Sequence, residues 1–313
     1  MNNKSEKFRI VFYNLENYFD TNVDSTIMYN EFTPQGELHW TKKKFDEKTR
    51  NLHKVFQAIS TWDGIALAGV CEIENKNALD ELLFNTPLNR MEYKYIHFDS
   101  HDKRGIDVAL IYGNEFIPLH SQVYSILDVF GDVIETRDIL YVKGLLKTDT
   151  LHIFVNHWTS RYRGLLESVS LRLQFSELLK SKTDSIQDLL PNANIIVMGD
   201  FNDQPFDKSL KNLTDESRLV NLESKSIENN SPGTVKFRSD WFIFDQVLIS
   251  NSLKSGDNNL MISSDGLMVF DKLFLLEKDN KHLGYKPYRT NLGYKYHGGY
   301  SDHLPIFFDL IMN

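Results

Sequence analysis

Short apolar runs alternate along the chain with segments whose apolar residues recur at helical spacing. The run FRIVFYNLEN (8–17) reads as a strand ending in polar residues. Residues 43–60 place Phe45, Leu52, Val55, Phe56 and Ile59 on one helical face. GIALAGV (64–70) is continuously apolar, as a strand covered on both faces should be. A helix is expected over 76–84, then strands at 93–98, 106–112, 122–127, 139–147 and 151–156. Leu165, Val169, Leu173 and Leu178 recur near the helical period and predict a long helix over 164–181. NIIVMGD (194–200) is another buried strand running into polar residues, and FIFDQVLIS (242–250) and LPIFFDLI (304–311) complete the set.

No repeat of fixed period and no Pro/Gly/Ser-rich linker divides the chain, so one domain over 1–313 is expected. Its architecture should be an α/β sandwich: two sheets packed face to face with helices outside. Stretches 20–41, 204–234 and 251–300 read as long loops with short elements, and long loops in a compact domain are more often functional than decorative.

Composition narrows the class. At 41% hydrophobic and 25% charged residues the chain is ordinary globular protein, and its 313 residues suffice for a large core without staples. The lone cysteine, Cys71, excludes a disulfide framework and a thiolate zinc cluster. The formal charge of −8 argues against coating nucleic acid by charge alone. Positive charge for a phosphate must be local or come from a metal. The start lacks the apolar core of about 7–15 residues that marks a signal peptide, and no run of about 18 apolar residues predicts a membrane span. Location is otherwise left open. A monomer without an obligate protein partner is expected.

The chemistry lies where the strands end. Asn14 and Glu16 follow FRIVFY, Glu72 follows GIALAGVC, Asn156 and His157 follow LHIFV, Asp200 and Asn202 follow NIIVMG, and Asp302 and His303 precede the last strand. Ligands of open α/β sheets bind beyond strand ends. Each residue alone has an ordinary explanation as a cap, a turn former or a packed histidine. Together they are hard oxygen donors plus two titratable bases, an inventory suited to Mg²⁺ or Mn²⁺ rather than zinc. A hard cation with two histidines points to phosphoryl chemistry. No G-x-S-x-G, G-x-x-x-x-G-K-[ST] or G-x-G-x-x-G occurs, which leaves serine-hydrolase, NTPase and dinucleotide readings unsupported.

At these residues the sequence resembles the endonuclease/exonuclease/phosphatase superfamily, the DNase I-like fold. The matching blocks are YNLEN (13–17), GVCEIEN (69–75), RGIDVALIY (104–112), VNHWTSRYRG (155–164), MGDFND (198–203), FDQVLIS (244–250) and GYSDHLPI (299–306). The resemblance implies a four-layer α/β sandwich. It implies Glu72 as principal metal ligand, with Glu16 and Asp302 at the metal and Asn14 on the phosphate side. Asp200 and Asn202 would position the attacking water and the phosphate. His303 would be the base or phosphate stabiliser, oriented by Asp245, and His157 the general acid or a phosphate ligand. The block around His157 is similar to the NHxxSR form of bacterial members, which sets Ser160, Arg161 and Arg163 near the phosphate. The tyrosine-centred motif of abasic-site repair nucleases is missing, and no hairpin of exposed aromatics like that of secreted sphingomyelinases is evident.

Asp107 reads equally as a turn acid or a site residue. Residues 280–300 carry Lys281, Lys286, Arg289 and Lys295 among five tyrosines and no acid, a composition suited to nucleotides or phosphosugars or to an ordinary packed loop. Residues 36–44 add Trp40 and three lysines, as a substrate surface or a charged helix start. The function implied is a Mg²⁺- or Mn²⁺-dependent phosphoester hydrolase with a phosphate-ester substrate, most simply a nuclease on DNA or RNA. The alternative is a phosphatase or phosphodiesterase for a small or lipid phosphate, phosphoinositide or sphingomyelin-like. A binding scaffold without catalysis is a third reading, weakened because none of the site residues is replaced. A long basic groove would favour a polymer, a closed pocket a small molecule.

Overall fold

The computed structural model describes residues 6–22, 30–62, 64–161, 165–215 and 218–312. In chain order the elements are β1 (Glu6–Tyr18), α1 (Lys42–Ile59), β2 (Leu67–Ile73), α2 (Lys76–Leu83), β3 (Lys94–His97), β4 (Asp107–Tyr112), β5 (Phe116–Tyr124), β6 (Ile139–Leu146), β7 (Asp149–His157), α3 (Leu165–Leu189) and β8 (Asn194–Asp200). The second part holds α4 (Lys208–Thr214), β9 (Leu219–Asn221), β10 (Ser224–Ser226), β11 (Val235–Phe237), β12 (Asp240–Phe242), β13 (Asp245–Ser250), α5 (Asn251–Ser255), β14 (Leu260–Ile262), β15 (Leu267–Val269), β16 (Leu276–Lys278), β17 (Tyr285–Pro287), β18 (Asn291–Leu292), β19 (Lys295–Tyr296) and β20 (Ile306–Met312).

Two mixed sheets form the body. The first runs β10-β15-β20-β1-β2-β4-β3, with β14 also on β20, and the second β5-β6-β7-β8-β13-β9. The parallel pairs β1–β2 and β7–β8 aim four strand ends in shared directions. On β8, Ile196 and Met198 point into the core between the sheets, while Ile195 and Val197 point under α3. The two-residue period of a strand thus explains why 194–200 is apolar throughout: both faces are covered. β7 and β13 repeat this, with Ile153, Val155, Val247 and Ile249 inward and Phe154 and Leu248 outward. Gly69 leaves no room between the sheets: a Cβ there would lie 2.6 Å from Met198 Sδ of the facing sheet and 3.2 Å from the Phe12 ring of its own.

The expected strand at 122–127 begins earlier, at Phe116, and ends at Tyr124. It is an edge strand whose Ile117 and Leu119 are exposed, so its pattern lacks a clean alternation. Helix α3 continues eight residues past 181. The loop 126–134 was not evident as an apolar hairpin, yet it joins Leu127 to Val133 by an isolated bridge and exposes Val129 and Phe130 at its tip. Trp40 is fully buried, with its indole N–H on Phe19 O, and is therefore core rather than substrate surface. Among the described residues no helix is long and apolar enough to cross a membrane.

Candidate active site

Register sets the site. His157, Asp200 and Asp245 stand side by side at the ends of β7, β8 and β13, and Asn14 lies opposite Cys71, one residue before Glu72, across β1 and β2. Four site residues adopt left-handed backbone: Glu16 (φ 52°), Asn17 (φ 50°), Glu72 (φ 60°) and Asn202 (φ 51°). Such conformations cost most non-glycine residues roughly 1 kcal/mol or more, asparagine less.

The Asn14 amide links the two sheets, donating to Asp200 Oδ2 at 3.1 Å and Glu72 Oε1 at 3.3 Å. Glu72 Oε2 accepts the Asn17 N–H at 2.8 Å. His157 Nε2 faces the same two carboxylates, 3.7 Å from Glu72 Oε1 and 3.8 Å from Asp200 Oδ2. His303 Nδ1 lies 2.8 Å from Asp245 Oδ2, while its Nε2 is 3.6 Å from Asp200 Oδ2. The Asn202 N–H caps Asp200 Oδ1 at 3.0 Å.

The electrostatics separate the two histidines. Burial holds His157 well below the usual imidazole range, reinforced by Arg137, Arg104 and His303, so it is neutral near pH 7. Burial also disfavours a charged His303, but Asp245, Asp200 and Asp302 outweigh it and raise its pKa well above the ordinary value. Burial pushes Asp200 up to about 7, against the pull of His303. Glu16 is raised to about 7 by burial and by Asp302. Burial lowers Lys48 to about 8 against the attraction of Glu16, Asp302 and Glu72.

Other expected site residues are placed as follows. Glu16 is engaged by the N–H groups of Thr290 (2.5 Å) and Asn291 (3.3 Å). Asp302 accepts from Arg289 at 2.6 Å; burial works against its charge, but Arg289, His303 and Lys48 hold it below the usual carboxylate range. Ser160 lines the cleft. Arg161 also lines it, yet its guanidinium is spent on Asn202 O (2.8 Å), Asp203 (2.9 Å) and Asp207 (2.5 Å), so it braces the Asn202 turn. Arg163 lies outside the described residues. Asp107 accepts from Ser100 N and pairs with His97 at 2.9 Å, away from the cleft, as a turn acid. In the 280–300 loop, Lys286 pairs with Glu277, and Arg289 lines the cleft.

The cleft over these strand ends holds about 450 Å³. Sequence reasoning missed Arg104, Arg137 and Lys236 among its cations and the wall of Val235, Phe237, Phe242 and Phe244. Arg104 was visible in its matching block, but only the fold shows its guanidinium 2.7 Å from Asn17 Oδ1.

A family model for the endonuclease/exonuclease/phosphatase family matches residues 9–312. The chain belongs to that family. Family members are phosphoesterases, and the chain is accordingly read as an enzyme of that class. No curated protein matches the chain by sequence. Solved structures match along its length. A family protein from Bacteroides thetaiotaomicron is 14% identical, with 99% of each chain covered and a TM-score of 0.63. A mannosyl-6-phosphatase of the same organism is 14% identical, covering 97% of this chain and 100% of its own, at 0.61. The human Nocturnin catalytic domain is 14% identical, covering 99% and 98%, at 0.59. These likenesses establish the DNase I-like four-layer fold for this family member.

The family is commonly dependent on a divalent metal, and the donor set fits one. Glu72 Oε1 and Asp200 Oδ2 share one amide donor and face a neutral imidazole at distances too long for hydrogen bonds. Hard oxygens so arranged suit a hard divalent cation. Asp200, Asp245 and His303 also bring ligand atoms within 4.8 Å of one another, but the His303–Asp245 hydrogen bond already occupies two of them.

Proposed function

We propose that the protein hydrolyses a phosphate ester of a small molecule, with Mg²⁺ or Mn²⁺ as cofactor. The observation supporting a small substrate is the state of the cleft's cations. Arg161 is bound to Asp203 and Asp207, Arg137 to Asp102, Lys236 to Asp279 and Arg289 to Asp302. With Arg104 on the neutral Asn17 amide, they form a largely neutralised pocket with a phenylalanine wall, not a long basic groove for a polyanion. A volume of about 450 Å³ suits a small ligand.

The electrostatics favour distinct roles. Asp200, at the end of β8 with Oδ1 held by the Asn202 N–H, is the group that orients the attacking water and accepts its proton, Asn202 fixing the turn that presents it. His303, held cationic by Asp245, binds the phosphate oxygens. Neutral His157 donates a hydrogen bond toward the departing oxygen, which takes its proton from solvent as the bond to phosphorus breaks. Glu72 would hold the cation, which would supply positive charge against the phosphate. Asn14 aligns the two carboxylates, and Ser160 lines the proposed phosphate site.

The test is a Mg²⁺/Mn²⁺ panel over hexose phosphates, inositol phosphates, sphingomyelin, aryl phosphate esters, plasmid DNA and RNA. Preference for a soluble small ester by about tenfold or more in kcat/KM supports the reading. Preference for DNA or RNA would replace it with a nuclease.

A further inference from the structure

Helix α1 buries a lysine where its face calls for an apolar residue. Lys48 is wholly inaccessible on the stripe that carries Phe45, Leu52 and Val55. A buried ammonium is costly unless fully partnered. Its Nζ donates to Thr290 Oγ1 at 2.5 Å and to the Tyr300 carbonyl. One turn on, Asn51 Nδ2 donates to the carbonyls of Gly298 (3.1 Å) and Gly299 (3.0 Å). Both side chains therefore grip the neck of the 288–300 loop.

That neck is built for close approach. Tyr300 N bonds Tyr288 O at 2.6 Å, His297 N bonds Thr290 O at 2.8 Å, and a Cβ on Gly299 would stand 2.1 Å from Tyr288 O. At the neck lies Arg289, next to the threonine that Lys48 holds. Its guanidinium reaches Asp302 at 2.6 Å and comes within 3.7 Å of Glu16. It borders both the cleft and a neighbouring cavity of about 610 Å³.

We propose that Lys48, seconded by Asn51, is a positioning residue. By fixing Thr290 and Tyr300 it sets where the Arg289 guanidinium meets the substrate phosphate. This rests on the phosphoester reading above. It assigns to an outer helix, remote in sequence from every strand-end motif, control over one cation of the cleft. Packing alone does not explain the residue, since methionine would fill the same volume without a buried charge.

The experiment compares wild type, Lys48→Met, Arg289→Ala and the double variant. Readouts are aryl phosphate ester turnover, competitive inhibition by inorganic phosphate, and hydrogen exchange of the 288–300 amides. Lys48→Met should raise KM and the phosphate inhibition constant about tenfold with kcat within about threefold, and exchange in 288–300 should quicken. The double variant should be no worse than Arg289→Ala, because the two act as one unit. Unchanged KM and phosphate affinity with only a lower Tm, or effects that multiply, would overturn the proposal. Should Lys48→Met fail to fold, Thr290→Val removes the same contact at nearly constant shape and must give the same KM shift. If wild type turns over no ester, the functional reading fails by itself. Calorimetric binding of inorganic phosphate to wild type and Lys48→Met then decides the positioning role, equal affinity refuting it.

Discussion

Asp200 and Asp245 face each other as a register pair across β8 and β13, and His303 stands between them, 2.8 Å from one carboxylate and 3.6 Å from the other. Two buried acids at this spacing repel, and the imidazolium relieves both. His303 is therefore held from both sides at once, so the effects of single substitutions within the trio overlap.

His303→Ala and Asp245→Asn should each lower turnover, the former by about 10²–10⁴. The double variant should fall little below His303→Ala. Steady-state kinetics of the cycle checks this; multiplying losses would dissolve the pair.

His157→Ala should separate substrates by leaving group. An alkoxide is a strong base and needs a hydrogen bond or proton as the bond to phosphorus breaks, whereas nitrophenolate leaves unaided. The variant should be slow on alkyl phosphate esters and largely spared on nitrophenyl ones, while His303→Ala should be slow on both. Equal losses for His157→Ala would make it a phosphate binder instead.

In metal-free protein, Asp200 and Glu16 should each contribute stability that is lost as pH rises from about 4 to about 7, a loss that the depressed His157 and His152 offset below about 6.5. Asp200 and Glu16 are raised to about 7 in the folded state, so the native chain holds protons over this window that the unfolded chain has released. With fewer protons bound at these two groups in the unfolded state, their contribution to the slope of unfolding free energy against pH is negative. Added Mg²⁺ or Mn²⁺ should flatten the loss, because a cation favours the ionised carboxylates. Thermal melts of wild type and Asp200→Asn at fixed ionic strength, with and without chelator, measure this; a wild-type Tm that gains on the variant as pH rises in chelator would contradict the assignment. Chelator should also abolish turnover, and Glu72→Gln should blunt its metal dependence while the fold persists.

Gly69→Ala should destabilise by about 1–3 kcal/mol, since its Cβ meets Met198 Sδ and the Phe12 ring inside a packed core. A denaturant midpoint equal to wild type would show that the sheets part without cost.

Legibility in the sequence followed burial. β8 was read at its observed limits because both its faces are apolar and its end is an abrupt acid. β5 was displaced because an edge strand with Ile117 and Leu119 in solvent carries no clear period. Short strands in 204–234 and 251–300 were invisible because two or three residues hold no periodicity. The strand-end acids, amides and histidines were legible one by one, being where apolar runs stop. Arg104, Arg137 and Lys236 were not, because where a long cation's head comes to rest depends on partners such as Asn17, Asp102 and Asp279. The same holds for Trp40, whose burial depends on Phe19 and Phe32 meeting it.

The left-handed backbone at Glu16, Asn17, Glu72 and Asn202 has a bearing on breeding this protein for heat. Glycine at any of these four positions relieves a local steric conflict. A library selected on melting temperature alone should accordingly drift toward glycine there, trading away the reaction centre. Selection that alternates heat with turnover should keep all four residues and find its gains in the outer layers.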